Sequence, residues 1–189
     1  MPASVDAAVQ RAAEHSFPYS CDRATGELLA VLAAAVPPGG RILELGTGAG
    51  VGLAWIVHGL AGRDDVSVLS VEQDPATAQL AAGGDWPAHV TITTGDAEAL
   101  LPGLGRFDLV FADAEGGKWS GLTLTLRALT DRGVLLLDDM DPQRYELDEH
   151  RRSIAAVRST LAEDTGLVLV DLPVASGIII ATRRPDDQA

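Results

Sequence analysis

The sequence has one cysteine, four histidines and few basic residues, and each scarcity excludes a class of protein. The lone Cys21 excludes an internal disulfide framework and any zinc site built from several cysteines. The histidines show no metal-ligand spacing, and we assign none of them a role. Lysines and arginines number 14 against 27 acidic residues, so the formal net charge is −13. Because phosphate binding needs clustered basic side chains, this charge argues against a nucleic-acid partner and favours a neutral or cationic small molecule.

Long apolar runs are also missing. No stretch reaches the roughly 20 apolar residues that a membrane helix needs. The N-terminus lacks the charged-then-apolar order of a signal peptide, so we expect a cytoplasmic protein without membrane contact. At 189 residues, with 47% hydrophobic and 22% charged residues, the chain is most simply one globular domain. We divide it into N-terminal helices over 1–38, a core over 39–183 and a tail over 184–189.

Strands and helices alternate through the core. We predict strands at 41–45, 66–72, 89–94, 107–112, 133–137, 167–171 and 177–181, and helices at 4–15, 22–36, 50–61, 75–82, 96–101, 118–129 and 147–163. This alternation predicts an α/β, Rossmann-like fold with a seven-stranded, mostly parallel sheet and helices on both faces. The link between the last two strands is too short for a parallel crossover, so they form a C-terminal antiparallel hairpin.

The stretch from Arg41 to Gly52, RILELGTGAGVG, joins a buried strand to a helix through a glycine-rich turn. Such a turn brings backbone N–H groups and a helix N-terminus against a nucleotide-like ligand. Glycine suits it because glycine accepts positive φ and has no Cβ to obstruct close approach. The spacing is not a clean G-x-G-x-x-G, so a purely structural turn is the alternative.

Acidic residues lie at the carboxyl ends of four strands: Glu72, Asp96, Asp113 and the pair Asp138-Asp139. Ligands of parallel α/β sheets bind beyond these ends. The acidic residues and the glycine turn therefore indicate one site.

Together these residues resemble a known family. Glu44-Leu-Gly-Thr-Gly-Ala-Gly50, Glu72, Gly95-Asp96-Ala97 and the terminal hairpin resemble the class I S-adenosylmethionine-dependent methyltransferases. Within that class, the segments 107–114 and 135–139 and the two N-terminal helices are similar to the metal-dependent O-methyltransferases of the catechol and caffeoyl-CoA type.

The resemblance implies a binding site for S-adenosylmethionine. Glu44 and the glycine loop would hold the amino-acid end, Glu72 the ribose hydroxyls, and Asp96 with Ala97 the adenine. For Glu72 and Asp96, helix capping or solvation is the alternative. The full set of expected cofactor residues is Glu44, Gly46, Thr47, Gly48, Gly50, Glu72, Gln73, Asp96, Ala97, Asp113 and Trp119.

The resemblance also implies a metal site at Asp113, Asp138 and Asp139, for Mg²⁺ or another divalent cation. Oxygen-only ligands suit such an ion, although solvated strand ends are the alternative. The family has asparagine where this chain has Asp139, and a lysine where it has Gly116. Lys118 lies nearby and is a candidate general base, or else a surface lysine; Asp113 and Lys118 are the expected catalytic residues.

We therefore expect methyl transfer to a hydroxyl of a small molecule, assisted by a divalent cation. One alternative keeps the cofactor without the metal. Others are an NAD-binding, oxidoreductase-like protein, or a cofactor-binding protein without catalysis. The resemblance further implies a homodimer formed through the N-terminal helices.

Overall fold

A computed structural model describes residues 1–185 of the chain. Seven strands form one sheet in the order β3-β2-β1-β4-β5-β7-β6. The strands are β1 Arg41–Leu45, β2 Ser67–Glu72, β3 Val90–Thr94, β4 Phe107–Ala112, β5 Leu129–Leu137, β6 Leu167–Leu172 and β7 Ile178–Arg183. The helices are α1 Ala3–Glu14, α2 Arg23–Ala35, α3 Val51–Leu60, α4 Pro75–Ala82, α5 Ala97–Leu104, α6 Leu122–Arg127 and α7 Asp148–Glu163, with a short 3₁₀ helix at Pro142–Arg144.

The sheet topology confirms the predicted fold class. Strands β1 to β5 pair in parallel, whereas β7 runs antiparallel to both β5 and β6. Among the described residues, no helix is long and apolar enough to cross a membrane. The predicted tail, 184–189, lies outside the described residues beyond Pro185.

Helices cover both faces of the sheet because neighbouring strand residues point to opposite sides. In β1, Ile42 packs with Leu29 of α2 and Trp55 of α3 on one face. Its neighbour Leu43 packs on the other face, in the cluster that contains Ile154 of α7. Burial of both faces explains why the central strands have nearly continuous apolar sequences.

The segment between β4 and β5 differs from the prediction of a helix over 118–129. The helix there is only Leu122–Arg127, and β5 already begins at Leu129, four residues earlier than predicted. Leu129 pairs with Phe107, and the β4–β5 register then shifts before Leu109. Thr130 Oγ1 donates to Asp108 Oδ1 at 3.0 Å beside this irregularity. A bulged strand start does not show the period-two pattern by which strands are predicted.

Candidate active site

One cavity of about 680 Å³ lies at the carboxyl ends of β1 to β5. One side is formed by the glycine loop after β1, with Glu72 and Asp96; we call it the glycine-loop side. The other side is formed by Asp113, Asp138 and Asp139, here named the acidic cluster, together with Lys118. Of the predicted site residues, the cavity lining includes Gly46, Thr47, Gly48, Glu72, Gln73, Asp96, Ala97, Asp113, Lys118, Trp119, Asp138 and Asp139.

The glycine loop takes a conformation that side chains would obstruct. Gly46 has φ +97°, and a Cβ there would lie 2.8 Å from the carbonyl oxygen of Asp113. Gly48 has φ +53°, and its Cβ would lie 2.9 Å from Phe17 Cε1. Positive φ is costly for other L-residues, so both glycines are required by the backbone. The loop therefore presents its main chain directly to the cavity.

Glu72 is fixed by two backbone N–H groups. Its Oε2 accepts from Gly48 N at 2.9 Å, and its Oε1 accepts from Asp74 N at 3.0 Å. Each carboxylate oxygen has a second lone pair and can still accept from a ligand hydroxyl. Glu72 is therefore oriented by the glycine loop, and Gln73 beside it also lines the cavity.

Asp96 caps a helix and also lines the cavity. It is the N-cap residue of α5, and its Oδ1 accepts from Ala99 N at 3.0 Å. Helix capping, which was the alternative to ligand binding for Asp96, is thus present. It uses only one of the two carboxylate oxygens. The buried Ala97 follows it in the cavity wall.

Glu44 lies behind the glycine loop and does not line the cavity. Its side chain is fully buried, and its Oε2 accepts from the Ser70 hydroxyl. Thr47 Oγ1 is 2.6 Å from Ser70 Oγ and donates to it, since Ser70 uses its single proton on Glu44. Burial raises the pKa of Glu44 to about 8, against the opposing effect of the Ser70 hydrogen bond. Glu44 therefore reaches the cavity through Ser70 and Thr47.

Gly50 also stays out of the cavity lining. It is the N-cap residue of α3, with φ +88°. The role of Gly50 is structural, because its positive φ allows the chain to turn from the loop into α3.

Lys118 is buried in the acidic side of the cavity. Only 2% of its side chain is exposed, so Lys118 is not the surface lysine that the sequence left as an alternative. Its Nζ lies 3.4 Å from Asp139 Oδ2, 3.9 Å from Asp113 Oδ1 and 3.2 Å from the Asp138 carbonyl oxygen. Lys118 is the only lysine in the sequence; the other 13 basic residues are arginines. Composition alone could therefore have singled it out.

The turn between β4 and α6 directs Lys118 inward. The N–H groups of Lys118 and Trp119 both donate to the Glu115 carbonyl, at 3.2 and 2.8 Å. Thr125 Oγ1 donates to the Gly117 carbonyl at 2.6 Å and fixes the turn to α6. This turn brings a lysine two residues beyond Gly116 over the acidic cluster.

The acidic cluster is held by protein groups. Asp138 Oδ1 accepts from the Ser176 hydroxyl and from Asp139 N. Burial raises the pKa of Asp138, and it raises the pKa of Asp113 well above its ordinary value. The positive charge of Lys118 opposes the rise in the pKa of Asp113. The three acidic side chains thus lie on one side of the cavity, with the ammonium group of Lys118 among them.

The expected metal site is not assembled by these residues. Within residues 1–185, no three acidic, histidine or cysteine side chains are arranged to hold a metal ion. One carboxylate oxygen of Asp138 is committed to protein donors, and Lys118 contacts the other two members. This donor set does not fit the expected Mg²⁺ ligation, and a cation placed there would meet the Lys118 charge.

A group of three aromatic rings completes the acidic side. Trp119 packs 5.4 Å from Tyr145 and 4.9 Å from His150, measured between ring centroids. All three rings line the cavity. Burial raises the pKa of Tyr145, and the Asp139 charge adds to the effect. His150 lies in the first turn of α7, so its position after β5 was the available signal.

Comparison with known proteins places this geometry in a family. A family model described as a methyltransferase domain matches residues 43–140, which contain the glycine loop, Glu72, Asp96 and the acidic cluster. The chain belongs to this methyltransferase family. A protein of Mycolicibacterium smegmatis is 30% identical to this chain over 174 residues, covering 85% of this chain and 81% of that protein. Its name gives O-methyltransferase as the proposed activity. The family predicted from the sequence is confirmed.

Solved structures of methyltransferases share the fold. The O-methyltransferase TomG of Streptomyces achromogenes, solved in complex with SAM, superimposes with a TM-score of 0.81 at 22% identity, covering 97% of this chain and 91% of that one. An O-methyltransferase of Bacillus cereus, in complex with SAH, gives a TM-score of 0.81 at 20% identity, covering 97% and 92%. At these identities the likeness establishes the fold alone.

Proposed function

We propose that this methyltransferase moves the methyl group of S-adenosylmethionine to a hydroxyl of a small molecule. The observation that carries the proposal is one continuous cavity that joins Glu72, at the end of β2, to Asp139, after β5. It offers a cofactor pocket and an acceptor pocket side by side. Methyl transfer needs both, because the acceptor oxygen, the methyl carbon and the sulfur must lie in line.

The glycine-loop side is the proposed cofactor pocket. The main chain of Gly46 to Gly48 leaves room for the amino-acid end, and Glu72 is oriented to accept from ribose hydroxyls. Asp96 and Ala97 would border the adenine. Trp119, expected from the sequence among the cofactor residues, packs with Tyr145 and His150. We therefore assign Trp119 to the acceptor pocket.

The acidic side is the proposed acceptor pocket. The cofactor supplies a methyl group on a sulfonium; the acceptor oxygen forms the new O–C bond while the S–C bond breaks and its electron pair returns to sulfur. The hydroxyl proton passes to a carboxylate of the acidic cluster, Asp113 or Asp139, and then to solvent. Lys118 would orient the acceptor oxygen by hydrogen bonding.

The acceptor is neutral or cationic in this proposal. Three carboxylates and the faces of Trp119 and Tyr145 attract positive charge and repel anions. The divalent cation expected from the family forms no part of the proposal, because Lys118 already contacts Asp113 and Asp139.

Calorimetric titration with S-adenosylhomocysteine tests the cofactor assignment. We expect the wild-type protein to bind and Glu72→Gln to bind about ten- to hundredfold more weakly, since a charged hydrogen-bond acceptor is lost. Asp74→Asn is the matched control, because Asp74 is exposed on the same loop and outside the cavity lining. Binding of NAD in place of S-adenosylhomocysteine would overturn the proposal in favour of the oxidoreductase-like alternative.

Methyl transfer itself requires a second measurement. The protein would be incubated with S-adenosylmethionine and a panel of neutral, cationic and anionic phenols and alcohols, with methylated products detected by mass spectrometry. We expect transfer to a neutral or cationic hydroxyl compound. Cofactor binding without transfer to any hydroxyl compound would favour the non-catalytic alternative.

We also propose a homodimer formed through the N-terminal helices. Val9 of α1 is 38% exposed and Val31 of α2 is 66% exposed, so both helices present apolar side chains to solvent. Sedimentation of the wild type and of Val31→Glu tests this association.

A further inference from the structure

The acidic cluster of this protein holds the charge of Lys118 where related enzymes are expected to hold a metal. We propose that the Lys118 ammonium replaces the divalent cation, so that the acceptor pocket works without a bound metal. The inference rests on the proposed function for its meaning, but its test does not depend on cofactor binding. Its basis is the position of one side chain among three carboxyl groups.

The contacts of Lys118 are those of a cation in a binding site. Its Nζ lies 3.2 Å from one carbonyl oxygen and 3.4 and 3.9 Å from oxygens of two carboxylates. These oxygens belong to residues that directly follow β4 and β5, the neighbouring strands whose ends would have formed the metal site. With 2% of the side chain exposed, the charge is shielded from water and interacts strongly with these oxygens.

The surroundings keep the ammonium in place. The turn at Glu115 holds the backbone of Lys118 by a hydrogen bond from its N–H, and the Trp119 ring lies 5.1 Å from Nζ. Asp138 is held separately, since its Oδ1 accepts from the Ser176 hydroxyl and from Asp139 N. A divalent ion that bound Asp113 and Asp139 would therefore have to displace Lys118 or lie beside a like charge.

The residue differences at the site agree with this exchange. The lysine position expected from the resemblance is Gly116, and the lysine lies instead at Lys118. Where the resemblance predicts a neutral asparagine among the metal ligands, this chain has Asp139. Its carboxylate is the nearest one to Lys118 Nζ. A second charged acceptor suits an ammonium partner, because hydrogen bonds between two ionised groups are the stronger kind.

The single lysine gives a direct spectroscopic test. Protein labelled with ¹³C only in lysine shows one lysine side chain by NMR, that of Lys118. Mn²⁺ bound to the acidic cluster would lie within a few ångströms of it and broaden its signal beyond detection. We expect the signal to persist with equimolar Mn²⁺, with and without S-adenosylhomocysteine. A signal that is lost in the wild type and restored in Asp139→Asn would overturn the inference.

Removal of the ammonium should create a metal site. Bound Mn²⁺ would be counted by electron paramagnetic resonance in the wild type and in Lys118→Met, a variant of similar length without the charge. We expect Lys118→Met to bind Mn²⁺ more than about tenfold more tightly, because three carboxylates are then uncompensated. Arg23→Met is the matched control, since it removes one positive charge from an exposed position outside the cavity lining.

Each outcome is informative. A gain of Mn²⁺ binding confined to Lys118→Met supports the replacement of the metal by lysine. Equal binding by the wild type and Lys118→Met, whether tight or absent, would overturn it. Failure of S-adenosylhomocysteine to bind would contradict the proposed function and leave these Mn²⁺ results unaffected, so the two failures are distinguishable.

Discussion

Arg144 and Asp22 form an ion pair that joins parts of the chain 122 residues apart, with 3.0 Å between Nη1 and Oδ2. Arg144 lies in the 3₁₀ helix after β5, and Asp22 directly precedes α2. Both residues line the cavity. The ion pair therefore links the two segments that border the acidic side.

Loss of this ion pair should affect ligand release more than stability. Both side chains are about half exposed, so Arg144→Ala should change the free energy of unfolding by less than about 1 kcal/mol. We expect S-adenosylhomocysteine to dissociate severalfold faster in stopped-flow experiments, because the segments separate more readily. Arg23→Ala breaks the exposed pair with Glu27 on α2 and is the control. Equal dissociation rates in all three proteins would contradict the prediction.

Gly48→Ala should weaken cofactor binding. The residue has φ +53°, and its Cβ would lie 2.9 Å from Phe17 Cε1. The strain of about 1–2 kcal/mol falls on the loop that presents its backbone to the cavity, so calorimetry should show about a tenfold higher dissociation constant.

Gly62→Ala is the control for this effect. Gly62 has φ +85° but nothing within 4 Å of its Cβ position, and it is not part of the cavity lining. We expect a comparable loss of stability with unchanged binding of S-adenosylhomocysteine. A double variant with Phe17→Ala should recover part of the binding lost in Gly48→Ala; no recovery would place the whole effect in the backbone.

Ser70→Ala should destabilise the protein through Glu44. The Ser70 hydroxyl is a hydrogen-bond donor to the buried Glu44, whose Oε1 has no partner among the described residues. Its removal leaves the carboxyl group unsatisfied, at a cost of about 1–3 kcal/mol in urea denaturation. Ser67→Ala, exposed on the same strand, should change stability by no more than about 0.5 kcal/mol. Equal effects of the two variants would contradict this role.

Local patterns predicted most of the fold and the glycine-loop side. The alternation of strands and helices, and the glycines after β1, depend on neighbours in sequence, so Glu72 and Asp96 could be placed at strand ends. Ser176 could also have been predicted. Since β7 runs antiparallel to β5, the residues before Ile178 must lie beside the end of β5, where Asp138 is.

The acidic side was harder to predict because it depends on contacts distant in sequence. Lys118 lies in a turn held by the Glu115 carbonyl and by the Thr125 hydrogen bond to Gly117, and a single sequence carries no pattern for such a turn. The lining formed by Tyr145 and His150 requires the path of the chain between β5 and α7. Between β5 and α7 the chain forms only a short 3₁₀ helix, so periodicity cannot place this segment.

Glu44 should make stability depend on pH. Its pKa in the folded protein is raised by burial to about 8, from an ordinary value of 4.5. Between these values the folded state binds more protons than the unfolded state, so the free energy of unfolding falls as pH rises through this window. The stabilisation is fully present below pH about 4.5 and is lost by pH about 8.

Glu44→Gln removes this titration while keeping the shape of the side chain. Urea denaturation at a series of pH values should show a flatter profile for Glu44→Gln, with the difference between the two proteins growing by a few kcal/mol from pH about 4.5 to 8. Glu27→Gln, exposed on α2, should reproduce the wild-type slope. Parallel profiles for wild type and Glu44→Gln would contradict a raised pKa of Glu44 in the folded protein.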